Sequence, residues 1–101
     1  MSYEVLIEYT VVEGMEEEAE QARTEFVEHA RGWEPDNFRY RVFSKGEAGT
    51  QFVHIATLAD EATQQRLGAQ PWFKTFGEKI GRASGGTVSA TRLGLRMDSG
   101  S

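Results

Sequence analysis

The chain switches between two hydrophobic periods, and the order of the switches constrains its fold more than any other feature. In residues 3–12, Tyr3, Val5, Ile7, Tyr9 and Val11 alternate with Glu4, Leu6, Glu8 and Thr10, the period of two that marks a strand. Glu13-Gly14 breaks it. Residues 15–32 change to a spacing of threes and fours, with Met15, Ala19, Ala22, Phe26, Ala30 and Trp33 along one side of a helix. Glu16, Glu17, Glu18 and Glu20 crowd its first turns, where the helix dipole favours negative charge, and Arg31 and Gly32 close it. That placement explains the acidic run as a solvated helix start without a cation.

After the turn cluster Trp33-Glu34-Pro35-Asp36-Asn37, residues 38–44 return to period two. Phe38, Tyr40 and Val42 share one face, and Arg39, Arg41 and Phe43 the other. A hairpin-like loop, 45–49, leads to a third strand, 51–58, which is apolar on both faces and therefore expected at the centre of a sheet. Asp60 is placed to cap a short helix over 61–69. Pro71 suits the first turn of a further helix, 71–82, with Trp72, Phe73, Phe76 and Ile80 as its apolar stripe. Ser84-Gly85-Gly86 ends that helix, and 87–97 reads as a last strand.

The order β-α-β-β-α-α-β is the split βαβ pattern. It predicts an α+β, ferredoxin-like domain over residues 3–97: a four-stranded antiparallel sheet with helices on one face. The polar tail 98–101 has no reason to order. A sheet covered on one side leaves a face carrying residues such as Leu6 and Phe43, or their opposites, and such an apolar face usually marks an interface. A homodimer is expected.

A net charge of −5 speaks against nucleic acid and anionic membrane surfaces, which need basic protein faces. The chain has no cysteine, which removes disulfides, thiolate nucleophiles and thiolate metal sites together. Small secreted domains usually need such staples, so a cytoplasmic setting is expected. No apolar run approaches the ~20 residues of a membrane span, and the start of the chain has neither a basic stretch nor a long apolar one, so no signal peptide is read there.

Three segments resemble the antibiotic biosynthesis monooxygenase-like family of the dimeric α+β barrel proteins. They are Val11-Val12-Glu13-Gly14 before an acidic helix; Asn37-Phe38-Arg39-Tyr40-Arg41-Val42-Phe43; and Phe52-Val53-His54-Ile55, followed by Asp60-Glu61-Ala62 and Gln70-Pro71-Trp72-Phe73-Lys74-Thr75-Phe76. The resemblance spans roughly residues 3 to 96. It implies a homodimer whose two sheets form a barrel, with a pocket between sheet and helices in each subunit. It also implies a cofactor-free monooxygenase acting on a phenol, a quinol or a polyketide-like aromatic. Haem-degrading members typically carry an Asn where this chain has Ile7, a Trp near Leu67 and an axial His near Gly77. Many quinol-oxidising members carry His where this chain has Leu67 and Trp72.

Within that frame His54 is the candidate base, as imidazole is the side chain suited to proton transfer near neutrality. A histidine buried for structure is the plainer account of the same residue. Tyr40 is a candidate partner in catalysis. Tyr9, Trp72, Phe73 and Phe76 are candidates for holding a flat aromatic by stacking and hydrogen bonding, although Phe73 and Phe76 also fit a helix core. Arg39, Arg41, Arg92 and Arg96 could hold a carboxylate or a phenolate, or pair across the sheet with Glu4 and Glu8. His29 and His54 lack metal-binding spacing, so neither metal nor cofactor is expected. Gly85-Gly86 precedes a strand, the wrong order for a nucleotide loop, and Ser84 and Ser89 support no catalytic triad. The alternatives are a non-catalytic dimeric binding or stress-related module, and an isomerase or lyase using a histidine base.

Overall fold

A computed structural model describes residues 2–100. Its strands are β1 (Tyr3–Thr10), β2 (Phe38–Lys45), β3 (Gln51–Leu58) and β4 (Ser89–Leu93), and its helices are α1 (Glu16–Arg31), α2 (Glu61–Gly68) and α3 (Pro71–Ala83). The sheet runs β2-β3-β1-β4 with every neighbouring pair antiparallel. The fold is the ferredoxin-like α+β architecture, and β3 lies inside the sheet, as its two apolar faces require.

Small residues let α1 approach closely. Ala19 and Ala22 are buried against Tyr9, Val11, Ile80 and Ala83 in one apolar cluster. A second cluster joins Phe26 and Ala30 to Phe38, Ala56, Leu58 and Leu67. Phe76 packs against both, so α3 is the seam of the core. Asp60 caps α2 as its position predicts, its Oδ1 accepting from the Thr63 amide at 2.8 Å and the Thr63 hydroxyl at 2.7 Å.

Two strands are shorter than their patterns suggest. β1 stops at Thr10 instead of residue 12, because the next two amides turn to other partners: Val11 donates to the carbonyl of Thr50 at 2.8 Å and Val12 to that of Ala83 at 2.9 Å. β4 covers five residues instead of 87–97. Leu93 pairs with Glu4, so one further step exhausts β1, and residues beyond it have no ladder to join. At the other end the Thr87 hydroxyl bonds both the amide and the carbonyl of Thr10 at 3.3 Å, a side chain standing in for ladder bonds. Arg96 therefore lies outside the sheet. Residues 98–100 of the expected tail are exposed and in no helix or strand, whereas 1 and 101 lie outside the described residues.

The face without helices carries Leu6, Phe43, Val53 and Ile55, by the cross-strand register. Charge pairs flank it: Arg41 with Glu4 at 3.5 Å, and Lys45 with Glu8 at 3.7 Å. The first is one of the cross-sheet pairs the pattern suggested. Arg92 departs from it. Its register partner is Val5, on the helix side, where it lies over the Tyr3 ring at 3.8 Å and bonds Glu61 at 3.0 Å. No helix among the described residues is long and apolar enough to cross a membrane.

Candidate functional site

His54 sits in the middle of β3 on the helix-covered face and is fully buried. Its register partners are Ile7 on β1 and Val42 on β2. The two tyrosines reach it along opposite diagonals: Tyr9 is aligned with Phe52, two residues before His54, and Tyr40 with Ala56, two residues after. The Tyr9 hydroxyl lies 2.8 Å from Nε2, and the Tyr40 hydroxyl 2.6 Å from Nδ1. Both ring nitrogens are thus engaged.

The chain of polar groups continues into α1. Arg23 donates from Nη1 to the Tyr9 hydroxyl at 3.1 Å and from Nη2 to Glu20 at 2.7 Å. Its guanidinium lies over the Phe52 ring, 3.7 Å from the centroid, and the residue is buried. Sequence reasoning passed over Arg23. The available signal was its spacing: with Ala19, Phe26 and Ala30 it continues the buried stripe of α1, where an unpaired charge is not expected.

Burial, aided by the Arg23 cation, lowers the His54 pKa to about 4, so the ring is neutral at pH 7. Burial raises the Tyr40 hydroxyl well above the ordinary tyrosine range. Tyr9 is also raised, chiefly by burial, with its Arg23 hydrogen bond opposing. The result is a buried, uncharged Tyr9–His54–Tyr40 chain with one permanent cation at its Tyr9 end.

Aromatic rings pack over the middle of the chain. Phe76 stacks on His54, centroids 5.9 Å apart and planes 23° from parallel. Phe26 is the hub behind it, 4.2 Å from Phe76, 4.6 Å from Tyr40, 5.4 Å from Trp72 and 6.1 Å from Phe73. His29 lies parallel to Trp72 at 5.5 Å. Trp72, Phe76, Phe26 and His29 line a cleft of about 120 Å³ between α1 and α3, rimmed by Glu25 and Lys79. A depression of about 350 Å³ lies beside β2, with Tyr40, Phe38, Arg31 and Arg39 in its wall. Tyr9 lines a third, of about 260 Å³, at the end of the sheet.

The structure therefore brings His54, Tyr40 and Tyr9 into one hydrogen-bonded chain and sets Phe76 upon it. Trp72 stands further out, at the cleft. Phe73 packs in the core with Phe26 and lines none of these three depressions, and nor does His54. His29, weighed in the sequence only as a metal ligand, is a wall of the cleft. Among the described residues no cluster of three metal-ligating side chains occurs.

No family model matches the chain, and no curated protein is similar to it in sequence. Solved structures are similar to it along nearly the whole length. SnoaB, a cofactor-independent oxygenase from Streptomyces nogalater, superposes with a TM-score of 0.79 at 19% identity, covering 97% of this chain and 96% of its own. A protein described as an antibiotic biosynthesis monooxygenase gives 0.81 at 16% identity, covering 96% and 100%. A dimeric ferredoxin-like protein of unknown function from Jannaschia sp. CCS1 gives 0.78 at 12% identity, covering 94% and 100%. At these identities the likeness is one of fold, and it is a fold shared with proteins described as antibiotic biosynthesis monooxygenases.

Proposed function

We propose that this protein is a cofactor-independent monooxygenase that oxidises a small activated aromatic, a phenol or quinol, and works as a homodimer through its open sheet face. The observation that carries the reading is the buried Tyr9–His54–Tyr40 chain, next to an aromatic-walled cleft. The fold it shares with a cofactor-independent oxygenase supports the reaction class.

The balance of the reaction suits such a chain. A phenol and dioxygen give a quinone and water; the substrate supplies all the electrons. One substrate proton leaves its oxygen, another leaves the ring carbon, and both end on the departing oxygen atom. The protein must move protons without storing any. A tyrosine–histidine–tyrosine chain does this, since each member can give one proton while taking another. Storage on His54 is disfavoured: with its pKa near 4, taking a proton from a phenol of ordinary pKa ~10 is uphill by about 8 kcal/mol. His54 and Tyr40 are the proposed proton-handling pair.

The substrate ring would lie against Trp72 and Phe76. Their cleft of about 120 Å³ is near the ~150 Å³ that accommodates one benzene ring, so larger substrates must move Phe76 aside. Oxygen-electrode measurements with simple quinols and phenols test the proposal. It predicts protein-dependent uptake of one O2 per substrate in metal-free buffer. A purely ligand-binding module on the same scaffold is the second reading, favoured by the close ring packing over His54; it predicts binding with no uptake.

A further inference from the structure

The Tyr9–His54–Tyr40 chain has a direction, and Arg23 sets it. A neutral imidazole has one N–H and one lone pair, so two arrangements exist. In the first, Tyr9 donates to Nε2, and Nδ1–H donates to the Tyr40 oxygen. In the second, Nε2–H donates to the Tyr9 oxygen, and Tyr40 donates to Nδ1. The first leaves the Tyr40 proton without a partner and the second leaves the Tyr9 proton without one.

Three observations select the first. The Tyr9 oxygen already accepts from the Arg23 guanidinium at 3.1 Å. Nε2–H would aim a second positive end at the same oxygen and at that cation, whereas the Nε2 lone pair facing it is favourable. Tyr9 is only 4% exposed, and among the described residues its hydroxyl has no acceptor but Nε2, so the second arrangement strands a buried proton. Tyr40 is half-buried and its ring meets Phe76 edge-on with centroids 6.4 Å apart, so a substrate ring that moves Phe76 aside comes against Tyr40.

We infer that Arg23 polarises the chain outward, so that Tyr40 offers its O–H to an oxygen of the bound molecule, and that this oxygen is anionic: a phenolate or enolate, not a neutral hydroxyl. The inference rests on the proposed function for the aromatic nature of the ligand. An O–H donor backed through two further hydrogen bonds by a fixed cation favours a charged acceptor. Glu20, the carboxylate paired with Arg23, is 70% exposed, so water weakens its hold on the buried field. In this direction His54 has no lone pair facing Tyr40. The first proton of the substrate therefore goes to solvent, Tyr40 stabilises the anion that remains, and His54 and Tyr40 relay protons only outward, to the departing oxygen. Arg23 is a positioning residue acting through Tyr9 and His54.

Two equilibrium measurements test this without any turnover. Nitrogen-15 NMR of the histidine-labelled wild type at pH 7 reads the tautomer: the proton on Nδ1 of His54 is expected, and a proton on Nε2 overturns the inference. Titration of 4-nitrophenol, whose phenolate absorbs visible light, reads the charge of a bound ligand. The bound probe should ionise at least tenfold more readily than the free one. Arg23→Met should abolish that gain and Arg23→Lys restore part of it. A bound probe that ionises no more readily than the free one overturns the inference, as does an undiminished gain in Arg23→Met. If Arg23→Met does not fold, the two wild-type results decide. Neither depends on oxygen uptake, so a failure of the proposed reaction and a failure of this inference are seen separately.

Discussion

Phe76 stacks on His54 with ring centroids 5.9 Å apart, and on Phe26 at 4.2 Å, so one phenyl ring separates the α1–α3 cleft from the buried hydrogen-bonded chain. The ring also bridges the two apolar clusters of the core. Its removal should therefore act on stability and on access together. Phe76→Ala is expected to cost about 3 kcal/mol, the lower end for a phenylalanine truncation, as the ring is only partly buried. It should also wet His54 and raise its pKa from about 4 towards the ordinary 6.5. An NMR titration of the His54 ring checks this, and an unchanged midpoint would show that Phe76 is not the barrier.

The depressed pKa of His54 makes stability depend on pH with a definite sign. The unfolded chain binds a proton at His54 below pH 6.5, whereas the folded chain does so only below about 4. The contribution to stability is whole above 6.5, falls as pH drops through that window, and is gone below 4. At pH 5 the loss should be about 2 kcal/mol. Urea denaturation at pH 7 and pH 5 measures it. In His54→Gln this part of the difference should vanish; a variant with the full wild-type dependence would place its origin in other groups.

Phe26 is the hub of the aromatic cluster and is 1% exposed. Phe26→Ala should cost about 3–5 kcal/mol, a large share of the ~5–15 kcal/mol of a typical domain. Thermal denaturation followed by circular dichroism should show a fall in Tm of tens of degrees or a chain unfolded at room temperature. A fall of only a few degrees would mean that the neighbouring rings close the gap.

Much of this was legible in the sequence because the sheet pattern is strict. Period two fixes which residues share a face, so the face of each strand that carries Tyr9, Tyr40 or His54 could be read, but whether the helices cover that face or the one with Leu6 and Phe43 was left open. The meeting of the three polar groups was not legible. It depends on register, which sets the two diagonals onto His54, and register is a property of strand pairing and not of any one strand. Arg23 was hidden for a different reason: a lone arginine on a helix reads as solvated surface until its neighbours on the stripe are seen to be buried. The extent of β4 was misjudged because strand-like composition runs to residue 97, but the partner strand ends first.

The open face predicts self-association. Val53 lies at its centre, opposite Phe43 and Glu8, and the Arg41 Nε there is buried without a hydrogen-bond partner among the described residues. Light scattering at micromolar concentration should give twice the 11.3 kDa chain mass. Val53→Asp should give the monomer, because it would set an unpaired charge in a desolvated seam. A wild type that stays monomeric removes the barrel.

The account stands on His54 and Tyr40 passing protons during an oxygen-dependent oxidation. The most direct test is oxygen uptake by His54→Gln with a quinol that the wild type oxidises. Glutamine keeps a donor and an acceptor at the centre of the chain but cannot relay a proton. The variant should fold and dimerise, lose the wild-type pH dependence between 6.5 and 4, and consume oxygen ~10²–10⁴-fold more slowly. Uptake at the wild-type rate in a folded His54→Gln would contradict it.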